Sequence, residues 1–139
     1  MNAIISPEEK IIFSGDMLIQ SLVPFILHST REYWYSLKYL KNLTYHYDLQ
    51  CLIPGHGELA FSQEEIIQRI EKEQSYLQKL IWKGLKLIQV GISLEEIKKQ
   101  LMYISQDLAH LQSHQISVHT FLRDFEKWET AIIDDLNID

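Results

Sequence analysis

The sequence contains few residues that would stiffen or anchor a chain: one cysteine, three prolines and five glycines among 139 residues. The single cysteine, Cys51, excludes an intramolecular disulfide and is typical of a reduced compartment. The chain has neither an amino-terminal apolar segment of the signal-peptide type nor a run of about 18 apolar residues. We therefore expect a soluble, cytoplasmic protein without a membrane partner.

Basic residues are also too few for a nucleic-acid partner. Thirteen Lys and Arg stand against nineteen Asp and Glu, for a net charge of -6, and residues 62–139 alone carry -4. Binding to a phosphate backbone needs clustered Lys and Arg. This balance also disfavours a helix-turn-helix interpretation of the segments after Gly91.

Apolar patterning predicts strands and one helix in residues 1–61. Residues 2–5 and 10–14 are two β-compatible runs separated by a turn at Pro7, which is typical of a hairpin. Apolar and aromatic side chains recur at helical spacing over residues 31–45. Residues 50–53 form a short apolar run ended by a Pro-Gly pair, which predicts a buried strand.

Residues 62–139 are predicted to be helical. Ser62 with Glu65, and Ser93 with Glu96, are capping boxes that open two amphipathic helices, the first to about residue 83 and the second with periodic apolar positions to Ile104. Residues 62–139 contain two glycines, Gly84 and Gly91, a residue type that often marks a turn or the end of a helix. Spacings of four, three and four predict a final helix with the apolar positions Phe121, Phe125, Trp128 and Ile132. We place a domain boundary between residues 1–61 and 62–139.

Two turns carry the residues that suggest chemistry. Asp16 ends the string Phe13-Ser14-Gly15-Asp16, where a glycine lets the backbone bend and leaves the carboxylate free to bind a cation. The alternative is a turn aspartate that bonds only its own backbone. His56 lies in Pro54-Gly55-His56-Gly57, where flanking glycines allow an imidazole to be held against a metal; the alternative is an exposed turn histidine.

The number of ligands limits what these turns can do alone. Catalytic zinc sites use about three protein ligands and an open position for water. Asp16 follows Met1 by only fifteen residues, so we expect other ligands to come from elsewhere and zinc to bind weakly to this chain. Cys51 lies in an apolar strand and is predicted to be a small core residue rather than a nucleophile.

Two further strings accompany the Asp16 and His56 turns: Val23-Pro24-Phe25-Ile26, and Tyr33-Trp34-Tyr35 at the aromatic start of the helix. Together, the four strings resemble the carboxy-terminal half of the metallo-β-lactamase-fold hydrolases. The resemblance implies an α/β fold, half of an αββα sandwich, followed by a small winged-helix-like helical tail. It also implies that Asp16 bridges two zinc ions, that His56 binds the second zinc, and that His28 lies in a substrate-contacting loop. The family's first metal motif, His-x-His-x-Asp-His, is absent, and the three tail histidines do not replace it: His110, His114 and His119.

We therefore predict a zinc-dependent hydrolase of esters, thioesters, lactams or phosphodiesters that is inactive as an isolated chain. Its partner would be a missing amino-terminal half, or a second copy in a homo-oligomer. The alternative is a non-catalytic binding or assembly module. In that case the tail aromatics would form a working surface, although packing within the tail is the favoured role for most of them: Trp82, Phe121, Phe125 and Trp128.

Overall fold

The computed structural model describes residues 2–20 and 23–128. It is a mixed α/β structure in which a small sheet precedes a series of helices. Over the described residues, none of the helices combines the length and apolarity required to cross a membrane. The elements in chain order are β1 (Ile4–Ser6), β2 (Ile11–Gly15), α1 (Thr30–His46), β3 (Cys51–Pro54), α2 (Gln63–Gln89), α3 (Leu94–Met102), α4 (Gln106–Ala109), α5 (Gln112–Asp124) and a 3-10 helix (Phe125–Trp128).

The sheet has the order β1-β2-β3, with an antiparallel hairpin and one parallel pair. The predicted hairpin is confirmed, and the parallel pairing of β2 with β3 follows the crossover through α1, since parallel strands need such a connection. Ile12 is in register with Leu52, and both side chains are fully buried on one face. The sheet therefore has one core face, and its parallel strands end at the same edge.

One compact unit comprises the residues up to Pro24 together with Tyr35–Gln74. Its buried apolar side chains come from the sheet, from α1 and α2, and from the loops that connect them. Ser62 Oγ accepts the N–H of Glu65 at 3.1 Å, and the Glu65 carboxylate accepts the N–H of Phe61 at 2.7 Å, so the predicted capping signal at the start of α2 is confirmed. Large buried members are Ile12, Leu37, Leu52, Ile66 and Ile70.

The second compact unit comprises Phe25–Trp34 and the chain from Ser75 onward. Two buried polar groups organise it. His114 Nε2 donates to the carbonyl of Leu101 at 3.0 Å while Nδ1 accepts from the Tyr76 hydroxyl at 2.8 Å. Asp124 accepts the N–H of Thr30 at 2.8 Å and so caps the start of α1. The division between the two compact units falls within α2, between Gln74 and Ser75. The predicted domain boundary at residue 62 lies just before that helix.

The predicted ends of two helices are wrong. Helix α2 continues through Gly84 to Gln89 instead of ending near residue 83. Helix α3 ends at Met102, before Ile104. The predicted final helix corresponds to α5, which begins at Gln112 and contains Phe121, and to the 3-10 helix that contains Phe125 and Trp128. The short helix α4 was not predicted. Ile132, the last position of the predicted final helix, lies outside the described residues.

Side-chain burial corrects the expectation for Cys51 and distinguishes among the tail aromatics. Cys51 is half-buried rather than a core residue, since it lies on the less covered face of the sheet. Among the tail aromatics, Phe121 and Trp128 are fully buried, as the packing role predicts, whereas Trp82 is 41% exposed.

Candidate metal centre

The turn after β2 presents Asp16 to solvent. The pairing of β2 with β3 is irregular between Phe13 and Gly15, which breaks the regular ladder where the strand ends. Ser14 is buried and closes the turn: its hydroxyl donates to the carbonyl of Met17 at 2.7 Å, and Met17 N–H donates to the Ser14 carbonyl at 3.1 Å. Asp16 therefore lies at the tip of a turn whose base is fixed.

The turn after β3 is held directly against the first turn. Gly55 N–H donates to the Gly15 carbonyl at 2.7 Å. A Cβ on residue 55 would lie 3.0 Å from that carbonyl oxygen, a tight contact with backbone, so this close approach favours glycine. Gly57, on the other side of His56, has a φ of +87°, a backbone conformation that favours glycine because it has no side chain. The glycines on both sides of His56 therefore bring its backbone close to the Gly15-Asp16 turn.

The two side chains converge as predicted. His56 Nε2 lies 3.7 Å from Asp16 Oδ1, as is required of two residues that the resemblance implies are ligands of the same zinc ion. The distance is too long for a hydrogen bond. Two donors bound to one tetrahedral zinc ion at its usual ligand distances would lie about 3.3 to 3.6 Å apart. The type of the two donors fits a zinc ion, and their 3.7 Å separation is about 0.1 Å longer than this range.

The number of donors does not fit a complete site. Among residues 2–20 and 23–128, no group of three His, Cys, Asp or Glu side chains is arranged to hold a metal ion. Both members of the pair are open to solvent, Asp16 at 72% and His56 at 80% side-chain exposure. The pair is thus one part of a coordination sphere, and no reaction step follows from it alone.

His28 does not join a group of three possible metal ligands within the described part of the chain. His28 is exposed in the segment before α1 and belongs to the other compact unit from Asp16 and His56. Its backbone carbonyl accepts from Arg123 Nη2 at 3.1 Å. Its role as a substrate-binding residue stays a prediction. Of the tail histidines, His110 and His119 are exposed and His114 is a satisfied core group.

One residue near the candidate centre was missed by sequence reasoning. Arg69 of α2 donates to backbone carbonyls in both loops that follow the candidate ligands. It occupies an ordinary polar position of an amphipathic helix, which carries no signal of such a role.

Comparison with known proteins does not extend the assignment. No protein-family model matches the chain, and no curated protein matches it.

Proposed function

We propose that this chain supplies one side of a zinc centre in a hydrolase of the metallo-β-lactamase type, with Asp16 and His56 as two of the metal ligands. The observation that carries the proposal is the 3.7 Å approach of His56 Nε2 to Asp16 Oδ1. Both residues follow adjacent parallel strands, and the loops at the carboxyl ends of such strands are the common position of ligand sites in α/β sheets.

The proposed role of Asp16 and His56 is to hold the metal ion and to fix its position. The carboxylate supplies negative charge and the neutral imidazole supplies a nitrogen donor, both on turns whose backbones are tied together. In hydrolases of this kind the metal supplies Lewis acidity and a bound water of lowered pKa. The described residues complete no metal site, and we propose that the further ligands come from another polypeptide segment and that the isolated chain has no hydrolase activity. Esters, thioesters, lactams and phosphodiesters are the proposed substrates, and a reducing cytoplasm is the proposed location.

A second candidate function is a non-catalytic binding or assembly module. It is supported by one face of the sheet, where Ile4 is 66% exposed and its register partner Phe13 is 42% exposed. Paired apolar side chains left open on a sheet are typical of surfaces that associate. This function needs the sheet face and does not need the Asp16–His56 pair, so the two functions are separable by mutation.

Metal titration tests the proposed zinc centre. We expect wild-type protein to bind zinc no tighter than micromolar, because two ligands provide only part of the binding energy of a structural site. Asp16→Asn and His56→Ala should each weaken binding further, by about tenfold or more. Isothermal titration with zinc, followed by competition with a chelator, gives the zinc affinity of each of the three proteins.

The matched control is His119→Ala, which removes an exposed histidine from α5 and should leave the affinity unchanged. Near-stoichiometric zinc that survives dialysis would show that the site has more ligands than proposed. Equal zinc affinity in wild-type, Asp16→Asn and His56→Ala proteins would exclude the pair as metal ligands.

Reconstitution tests the hydrolase. The chain is mixed with a polypeptide that carries a His-x-His-x-Asp-His motif on the amino-terminal half of this fold, and hydrolysis of ester, thioester, lactam and phosphodiester substrates is followed with zinc present. We expect activity only in the mixture and its loss with His56→Ala. A mixture with His56→Ala that is as active as wild type would contradict the assignment.

A further inference from the structure

Arg69 is half-buried on α2, and its guanidinium joins two loops. Nη1 donates to the carbonyl of Glu58 at 2.7 Å and to that of Leu18 at 3.4 Å, and Nη2 donates to the carbonyl of Leu59 at 3.0 Å. Arginine presents several N–H donors in a rigid planar fork, which suits simultaneous contact with separate carbonyls. One side chain is therefore bonded to both loops at once.

Those carbonyls follow the candidate ligands closely in the chain. Leu18 comes two residues after Asp16, and Glu58 comes two residues after His56. Leu18 has a φ of +57°, an unusual conformation for a residue with a side chain, and it is fully buried. Such a conformation persists only where the surroundings hold it in place. The bond from Arg69 to its carbonyl is part of those surroundings.

The two turns also have a direct tie, the hydrogen bond from Gly55 N–H to the Gly15 carbonyl at 2.7 Å. That bond fixes the base of the turns. Beyond each ligand, Met17 is bonded back to Ser14 and Ala60 is bonded back to Leu52, so each loop is tied to its own strand. Arg69 adds a tie that joins the two loops to each other. Fixing each turn on both sides of its ligand limits how far the carboxylate and the imidazole can move apart.

We propose that Arg69 is a positioning residue that sets the separation of the Asp16 carboxylate and the His56 imidazole. Its effect on metal affinity rests on the proposed zinc function, whereas its effect on the spacing of the two side chains does not. The geometry requires arginine specifically, because a lysine ammonium is a compact point charge that lacks the planar fork spanning both loops.

A metal-free measurement tests the positioning directly. In wild-type protein, Asp16→Asn should change the NMR shifts of the His56 ring protons, because the carboxylate lies beside the imidazole. In the Arg69→Gln background the same change should fall to about half or less, since the turns then separate. Arg69→Lys keeps the aliphatic stem and the charge, and it should not restore the response.

Zinc titration provides a second test of the role of Arg69. We expect Arg69→Gln to weaken zinc binding by about tenfold, in the range of residues that orient metal ligands. The loss should disappear when His56→Ala is already present, because a residue that acts through the pair has no effect without it. Lys41→Gln is the matched control: it removes an ion pair with Glu71 in the same compact unit and touches neither turn.

The outcomes separate the two proposals. An undiminished response of the His56 ring to Asp16→Asn in Arg69→Gln protein, or full rescue of that response by Arg69→Lys, would overturn the positioning role. Wild-type protein that binds no zinc at the pair would refute the metal proposal, while the metal-free NMR response would still decide the role of Arg69. The Arg69→Lys variant also serves if Arg69→Gln does not fold.

Discussion

Lys10 and Asp48 lie at the beginning of the two parallel strands, at the end opposite the candidate centre. Both have a positive φ, +58° for Lys10 and +49° for Asp48. The Lys10 carbonyl accepts the N–H of Gln50 at 2.8 Å and that of Cys51 at 3.1 Å, and its ammonium pairs with the Asp48 carboxylate. This small group of residues aligns the start of β2 with the start of β3. The alignment then determines that the strands end together at Asp16 and His56.

The Asp48 carboxylate makes the stability of this alignment depend on pH. The Lys10 ammonium, through its hydrogen bond and its charge, holds the pKa of Asp48 below its usual value of 3.8. The folded protein then binds fewer protons than the unfolded chain at acid pH. Stability from this pair is therefore present above pH 3.8 and is lost as the pH falls through the lower folded pKa.

We expect Asp48→Asn to lower the urea midpoint at neutral pH, and this difference from wild type should close as the pH falls below 3.8 through the lowered pKa of Asp48. Asparagine is a matched replacement because it tolerates a positive φ and keeps the oxygen that accepts from the Gln50 amide. High salt at neutral pH should also narrow the difference. A difference of equal size at both pH values would show that the charge of Asp48 does not contribute.

At the scale of elements, α2 is the longest helix of the described residues and runs without a break through Gly84. A mid-helix glycine costs about 1 kcal/mol relative to alanine. The ring of Phe121 explains the glycine: a Cβ on residue 84 would lie 2.2 Å from Phe121 Cε1 and 2.5 Å from Cζ. Glycine here permits α5 to place a fully buried aromatic ring directly against α2.

Gly84→Ala should therefore destabilise the protein despite its better helix propensity. The propensity gain is about 1 kcal/mol, and overpacking a core contact costs about 1 to 3 kcal/mol. Chemical denaturation of wild type, Gly84→Ala, Phe121→Leu and the double variant forms a cycle. In the Phe121→Leu background the alanine should become neutral or stabilising, because the clashing ring is gone. A stabilised Gly84→Ala single variant would mean that the ring moves away at little cost.

For the molecule as a whole, the open sheet face is the feature that bears most on assembly. Ile4 pairs with Phe13 and Phe13 pairs with Ile53, so their side chains share one face, opposite the buried Ile12 and Leu52. Apolar side chains in register on an open sheet favour association, because burying them removes apolar surface from water. The predicted oligomer, or a complementary half, would cover this face.

We expect light scattering at micromolar concentration to detect dimers or larger species of the wild-type protein. Phe13→Lys should shift the distribution towards monomer, because a charge cannot be buried in an apolar contact without a partner. Val90→Lys is the control: Val90 is 71% exposed but lies in the turn after α2 and belongs to the compact unit that does not contain the sheet. A monodisperse wild-type monomer would show that the open face does not drive association.

The sequence alone was sufficient for features that depend on neighbouring residues. Capping at Ser62 and Ser93, the hairpin around Pro7 and the crossover helix α1 were all predicted, because caps, turns and helical periodicity act over three or four residues. The Asp16–His56 pair was also predicted to converge. That prediction came from recognising a known pattern of turns, and the sequence periodicity itself contains no such distance.

Only the tertiary structure decided the rest. Asp124 caps α1 from 94 residues away, Gly84 leaves room for the ring of Phe121 against α2, and Arg69 bonds to the loops beside both candidate ligands. Each of these interactions joins residues distant in the sequence, and each uses a residue type that is ordinary at its own position. Local patterns cannot report them, because their free energy arises only when packing brings the separate segments together.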